Sequence, residues 1–348
     1  MADSLRALFG IDQPIILGPF GGLSSIELTA AVSDAGGLGS YGLYGYSPER
    51  IGEVAAALRG ATSRPFALNL WLPTGDEVTP DDAGLGGAAA AVKPIFDELG
   101  MPLPPLPERF LPPFDDQLAA VLDAAPAVLS LVYGTPSGEL MAAAHERGIR
   151  VTGTVTTVAE AVAMEAAGVD AIVASGAEAA GHRVSFLAEP EASLVGTFAL
   201  VPQVVDAVRV PVIAAGGVAD RRGVAAAFAL GASGVLAGTA FLRTWQSDAS
   251  EAHRAAIGAA TDVTTVLTRA MSGRLARGIP NRAVREIESR GAIAPFPAQN
   301  WLTGQFRAEA RRRGIGEFAS LWAGQSAALA HLDDAAEVFA ELAAGLPD

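Results

Sequence analysis

The run Ala174-Ser175-Gly176-Ala177-Glu178-Ala179-Ala180-Gly181-His182-Arg183 holds the one histidine, of four in the chain, whose setting points to chemistry. It continues a short apolar stretch, AIVASG (171–176), and reaches His182 through small side chains. Imidazole changes charge near neutral pH, so a histidine held over a strand end can move a proton or hydrogen-bond a bound molecule. His145 and His331 fall in helical patterns and His253 in a helical polar stretch, where packing or surface roles are expected.

Two glycine pairs form a second constellation. VPVIAAGG (210–217) closes on Ala215-Gly216-Gly217, and GVLAGT (234–239) on Ala237-Gly238-Thr239. Glycine lets backbone N–H groups approach an anion closely, and a helix starting at Arg221 adds partial positive charge. One such loop reads as a tight turn, but two at consecutive strands point to a phosphate-bearing ligand. Asn69, near the end of FALNLWL (66–72), offers a carboxamide to a planar heterocycle, and Gly18-Pro19-Phe20-Gly21-Gly22 offers backbone to the same ligand. Residues 269–290 carry six arginines against two glutamates. Either this is a solvated helix with ion pairs, or Arg274 or Arg277 holds an anionic substrate or the ligand phosphate.

These residues need a scaffold that gathers strand ends. Eight short apolar runs supply one: 14–20, 37–42, 66–72, 127–134, 150–156, 171–176, 210–217 and 234–239. Alanine-rich helical segments are expected at 24–35, 48–58, 138–147, 158–167, 200–208 and 221–230, with a capping signal SxxE at Ser24 to Glu27. The alternation is α/β, and eight strands favour a TIM (β/α)8 barrel over an open doubly wound sheet. Barrel active sites lie at the C-terminal strand ends, with phosphate sites after strands seven and eight, where both glycine pairs fall.

Two regions break the repeat. Residues 73–126, with the core MPLPPLPERFLPPF, are too long for an ordinary connection and read as a lid or as a polyproline cover. The expected organisation is a ligand-binding barrel over 1–243, interrupted by this insertion after strand three, and a mostly helical, substrate-covering cap over 244–348. That cap includes an amphipathic helix near 326–344. Insertion and cap together should enclose an apolar pocket.

Composition narrows the function. In 348 residues, half hydrophobic and 18% charged, with mean hydropathy +0.33, a folded chain is expected rather than a disordered one. Thirty-eight acidic against 24 basic side chains leave a charge of −14, a poor match for nucleic acid or anionic membrane. With no cysteine, thiolate catalysis and cysteine-based metal sites are excluded, and the scattered histidines indicate no metal centre. The uncharged stretch 224–242 is long enough for a membrane span, but its glycines favour a buried helix and strand. The opening MADSLRALFGIDQP has no signal-peptide pattern, so a cytoplasmic protein is expected.

Nearly the whole chain resembles the nitronate monooxygenases, formerly called 2-nitropropane dioxygenases. The likeness is carried by PIILGPFGGLSSIELTAAVSDAGGLG, ASGAEAAGHR, VPVIAAGGVAD, GVLAGTAFL, SGRLARGIPN, FPAQNWLT and SLWAGQ, the last three being similar to the class I enzymes. The resemblance implies an FMN-dependent barrel that oxidises alkyl nitronates, propionate 3-nitronate among the candidates, with O2 to a carbonyl compound and nitrite. It implies His182 as the catalytic residue. FMN contacts would fall on Pro19, Phe20, Asn69, Ser175, Ala180, Gly181, Gly217 and Leu236, Ala237, Gly238 and Thr239, with Gly216 added from its loop. Phe20 stands where the family usually has methionine, Ser175 where it has glutamine, Ala180 and Val184 where it has glycine, and Phe296 where tyrosine is frequent. An FMN-dependent NAD(P)H reductase of a quinone or an enoyl thioester would share these features, whereas retention of His182 and both glycine loops argues against a retired binding protein. The sequence leaves the oligomeric state open.

Overall fold

The computed structural model describes residues 2–347. After helix α1 (Ala2–Phe9) come β1 (Ile15–Leu17), α2 (Ile26–Asp34), β2 (Gly39–Gly42), α3 (Pro48–Ala61) and β3 (Phe66–Trp71). Then follow α4 (Gly86–Glu98), α5 (Phe114–Ala124), β4 (Val128–Val132), α6 (Gly138–Glu146), β5 (Arg150–Val155), α7 (Val158–Ala166) and β6 (Ala171–Ser175). A two-residue strand β7 (Gly181–His182) precedes α8 (Thr197–Ala207), β8 (Val212–Ala215), α9 (Arg221–Ala229), β9 (Gly234–Ala237) and α10 (Thr239–Leu242).

The eight apolar runs are the eight parallel strands of one sheet, ordered β1-β9-β8-β6-β5-β4-β3-β2. Backbone bonds from Leu17 to Leu38 and from Leu38 to Ile15 join the two edges, so the sheet is a TIM barrel. Its interior is packed with Ile16, Ala67, Val128, Val173 and Ile213, and Leu5 and Phe9 of α1 join that cluster. Side chains of opposite parity, such as Ile15 and Leu17, face the surrounding helices.

Helix starts follow capping chemistry, with one shift. The hydroxyl of Ser25, not Ser24, accepts from the N–H of Leu28 and caps α2. Ser24 is spent on the loop after β1, accepting from the amides of Phe20 and Gly42 at 3.1 and 3.0 Å. The reciprocal capping box falls at Thr157 and Glu160 instead.

Beyond the barrel lie α11 (Glu251–Gly258), β10 (Val266–Thr268), β11 (Ala276–Gly278), α12 (Arg282–Arg290), α13 (Ala298–Arg312) and α14 (Ala335–Ala343). Three observations differ from the sequence reading. Residues 269–290 are not one helix: they form a turn, β11 and α12. The last helix is half the expected length, because Asp334 caps it at Ala336 and Glu337, and residues 327–329 form a separate single turn. His331 lies in the loop between them.

Insertion and appendage meet in a second apolar core. Val92, Ile95 and Phe96 of α4 pack with Ile287 of α12 and with Leu302 and Phe306 of α13, the Phe96 and Phe306 rings edge to face at 5.8 Å. The other insertion helix, α5, packs on α3, and α14 sends Val338, Phe339 and Leu342 into the barrel's outer core beside α2 and α9. The stretch 224–242 is helix α9 running on through β9 into α10, and among the described residues no helix is long and apolar enough to cross a membrane.

Candidate functional site

A cavity of about 400 Å³ opens over the C-terminal strand ends, within the usual range for small-molecule sites. Pro19, Phe20, Asn69, Ser175, Ala180, Gly181, His182, Gly216, Gly217, Leu236, Gly238 and Thr239 all line it. Ala237 does not: it is fully buried in the barrel wall, and its carbonyl accepts from Gly18. The insertion leaves the same end of the barrel but contributes no lining residue. The cap supplies Phe296, Asn300, Arg307, Trp322, Gly324 and Ser326.

The histidine loop is braced from four sides. Gly181 and His182 form β7, paired antiparallel to β11 with His182 opposite Ala276, which makes a small sheet of β10, β11 and β7. The Arg183 guanidinium is buried and donates to the carbonyls of Ser175, Gly176 and Ser193. Glu178 accepts from the N–H and hydroxyl of Thr197 at the start of α8. From the SLWAGQ motif, Gln325 N–H donates to the Glu178 carbonyl, and Gly324 N–H donates to the Thr239 hydroxyl at 3.0 Å. A Cβ on Gly324 would stand 2.8 Å from that Glu178 carbonyl, so glycine is required by the close approach.

His182 Nε2 lies 2.8 Å from the Ser272 hydroxyl, which itself lies 3.1 Å from the Arg274 carbonyl. The hydroxyl can donate to that carbonyl, so that Nε2–H donates to Ser272 and Nδ1 is an acceptor, or it can donate to Nε2, so that Nδ1–H is a donor. Burial, reinforced by the Arg274 and Arg307 guanidiniums, pushes the His182 pKa down to about 3. Burial therefore favours the neutral ring at physiological pH. The edge of Trp71 lies 4.9 Å away, and Trp71 contacts Tyr44 at 4.4 Å and Phe296 at 5.9 Å.

Ligand-facing polarity is selective. Asn69 donates through Nδ2 to the Ser130 carbonyl at 3.0 Å, which leaves Oδ1 as its acceptor at the cavity. Gly216 and Gly217 adopt φ of +96° and +76°, and a Cβ on Gly217 would meet nothing closer than 3.9 Å. A Cβ on Gly238 would stop 3.6 Å from Phe20 Cε1. The helix start at Arg221 does not serve the site as expected, because the Asp220 carboxylate already accepts from the amides of Arg222 and Gly223. Val184, in place of glycine, packs with Val132 and Tyr133 and has no positive φ.

Arg274 and Arg277 fit neither reading of the arginine-rich segment, since neither lines the cavity. Arg274 lies 3.9 Å over the Phe296 ring and pairs with Asp76 at 2.8 Å and Glu77 at 3.1 Å, latching the insertion to the cap. Arg277 donates through Nε to the Ala177 carbonyl and braces the histidine loop. Sequence reasoning missed Ser272, Tyr44, Trp71, Arg307 and Trp322. The spacing of Asn300 and Arg307, seven residues apart on one helix face, was the available signal for α13. His253 takes the packing role of the two expected: it is buried and bonded to the Trp322 carbonyl at 2.9 Å.

The comparisons with known proteins agree with this geometry. The family model for nitronate monooxygenase matches residues 2–345. A protein named as a probable nitronate monooxygenase from Staphylococcus aureus (strain MSSA476) is 39% identical over 330 residues, 94% of this chain and 92% of its own. Among solved structures, the nitroalkane oxidase from Streptomyces ansochromogenes is 33% identical with a TM-score of 0.86, covering 98% of this chain and 97% of that one. FabK from Thermotoga maritima is 30% identical with a TM-score of 0.75, covering 97% and 94%. With the family's motifs distributed around a single cavity and the match running almost end to end, this chain is an oxidoreductase that belongs to the nitronate monooxygenase family.

Proposed function

We propose that the chain is an FMN-dependent enzyme that oxidises alkyl nitronates, propionate 3-nitronate among them, with O2 to a carbonyl compound and nitrite. The observation that carries this reading is the convergence of a buried neutral histidine and two glycine loops on one cavity. The residues present fit the cofactor. Gly217 and Gly238 leave open the space a Cβ would fill, so their amides and that of Thr239 suit a phosphate, and the Asn69 Oδ1 acceptor suits a ring N–H. FMN bound there would supply the redox chemistry and the reaction with O2.

The chain's own part is binding, orientation and proton handling. A nitronate is already an anion with an electron-rich carbon, so it requires no prior deprotonation. His182, fixed by Ser272, holds it by hydrogen bonding. A neutral nitroalkane must first lose its α-proton, which the lone pair of the same uncharged ring can take. Trp71, Phe296 and Trp322 exclude water around that step.

One alternative from the sequence stays in view, reduction of an enoyl thioester or a quinone by NAD(P)H. Anaerobic mixing of the flavin-loaded protein with propionate 3-nitronate, and separately with NADH, decides between them. The expected result is bleaching of the flavin spectrum by the nitronate alone. Bleaching by NADH alone would overturn the proposal in favour of the reductase.

A further inference from the structure

Arg307 is the cavity residue that the chemistry above leaves without a task. Its Nη1 donates to Ser320 Oγ at 2.9 Å, and its Nη2 donates to the Asn300 carbonyl and Oδ1 at 2.9 and 2.7 Å. Its Nε is buried and has no acceptor. Among the described residues it pairs with no carboxylate, whereas Arg274 has Asp76 and Glu77. Glu178, the acidic residue of the lining, is committed to Thr197. A half-buried guanidinium lacking a counter-charge is costly to keep, and its inaccessible, unpartnered Nε adds to that cost. The missing anion is supplied by what binds.

The position of Arg307 indicates which anion. From His182 the wall runs through Trp71 to Tyr44, with ring centroids 4.9 and 4.4 Å apart, and the Tyr44 hydroxyl accepts from Asn300 at 3.1 Å beside Arg307. Two aromatic rings thus separate the histidine from the guanidinium, so a group held at one end is not held at the other. Tyr44 retains its own hydroxyl proton as a second donor at the Arg307 end.

We propose that Arg307 is a specificity-determining residue: its guanidinium, with the Tyr44 hydroxyl, binds a carboxylate at the end of the substrate remote from the nitronate. The proposal rests on the nitronate reading above and deepens it. A carboxylate separated from the nitronate by a short chain matches the two ends, and an alkyl nitronate leaves the cation uncompensated.

The test uses flavin-loaded wild type, Arg307→Met and Tyr44→Phe. Succinate copies a carboxylated nitronate in shape and charge, and butyrate copies its uncharged-end counterpart. By calorimetry, wild type should bind succinate at least about 10-fold more tightly than butyrate, and Arg307→Met should erase that preference. Tyr44→Phe, which keeps the cation, should weaken succinate about 3- to 10-fold and leave butyrate unchanged. In oxygen uptake, Arg307→Met should lower kcat/KM for propionate 3-nitronate about 100-fold, mainly through KM, and change propyl 1-nitronate by less than about 3-fold. Equal weakening of both ligands, as a purely structural role would produce, overturns the proposal, as does a wild type without preference. Should Arg307→Met not fold, the Tyr44→Phe pair of affinities still decides. Arg307-dependent succinate binding without turnover of any nitronate would sink the reaction and keep the anion site, and the reverse pattern would do the opposite.

Discussion

The Ser272 hydroxyl is the hydrogen-bond partner of His182 Nε2, at 2.8 Å, although the two residues are ninety positions apart in the chain. Ser272 belongs to the cap and His182 to the barrel, so the orientation of the ring depends on both parts being seated. Replacing Ser272 by Ala should leave flavin content unchanged and lower kcat/KM by about 3- to 30-fold, the range expected for one lost neutral hydrogen bond. Oxygen uptake normalised to bound flavin measures it, and an unchanged rate would mean that Ser272 does not hold the ring.

His182→Asn separates two roles of the imidazole. The variant should retain FMN, because the glycine loops lie on other strands, and should lose almost all turnover of neutral nitroalkanes. Preformed nitronate should be oxidised about 10- to 1000-fold more slowly, as for loss of one positioned hydrogen bond of roughly 1.4 to 4 kcal/mol. A wild-type rate on nitronate would remove His182 from substrate binding, and loss of flavin would make it a cofactor contact.

The phosphate loops can be tested by adding side chains. Gly217 has φ +76°, where valine is strained, and a side chain on Gly238 would project towards Phe20. Gly217→Val and Gly238→Val should therefore fold but purify largely colourless, with flavin released by denaturation and counted by absorbance. Full flavin occupancy in both variants would locate the phosphate elsewhere.

Two histidines with lowered pKa values make the fold sensitive to acid. Burial holds His182 at about 3 and His253 at about 4, both below the ordinary 6.5. The unfolded chain then binds protons first as pH falls, so the stability these neutral rings contribute is intact above about 6.5 and is lost progressively towards their folded values. Each group should cost on the order of 1 kcal/mol per pH unit in that window. Urea midpoints at pH 7.0, 6.0 and 5.0 should decline, and less steeply in His253→Asn. A flat profile would contradict the burial of both rings.

The salt-bridge latch should matter for order more than for stability. Asp76 is largely exposed, so its pair with Arg274 is worth at most about 1 kcal/mol. The double variant Asp76→Asn, Glu77→Gln should melt within a few degrees of wild type and yet be cleaved faster within residues 73–85 by a dilute protease. Equal cleavage rates would show that the contact does not order this segment.

Much of the barrel was legible because each strand is a short apolar run and several of the following helices, α2, α3, α6, α7 and α9, carry a capping side chain at their start. Ser24 misled because its hydroxyl serves the neighbouring loop, a tertiary use that local pattern does not show. The small sheet of β7, β10 and β11 was invisible: its strands are two or three residues long, too short for any alternation to register, and β7 finds β11 across some ninety positions. Among the site residues, glycines and a histidine stand out by type. Arg307 and Arg274 do not, since an arginine in a charged helix and one latching a lid look alike until the partners are known.

The shared core of α4, α12 and α13 has a consequence for how such enzymes diversify. The wall that α13 lends the cavity rests on a core woven from two stretches of chain far apart in sequence, and each shields the apolar face of the other. Grafting one stretch alone from a relative would leave a greasy seam, whereas exchanging both together replaces the ceiling and leaves the barrel floor undisturbed. Selectivity for what enters can therefore be inherited, or engineered, as a paired cassette.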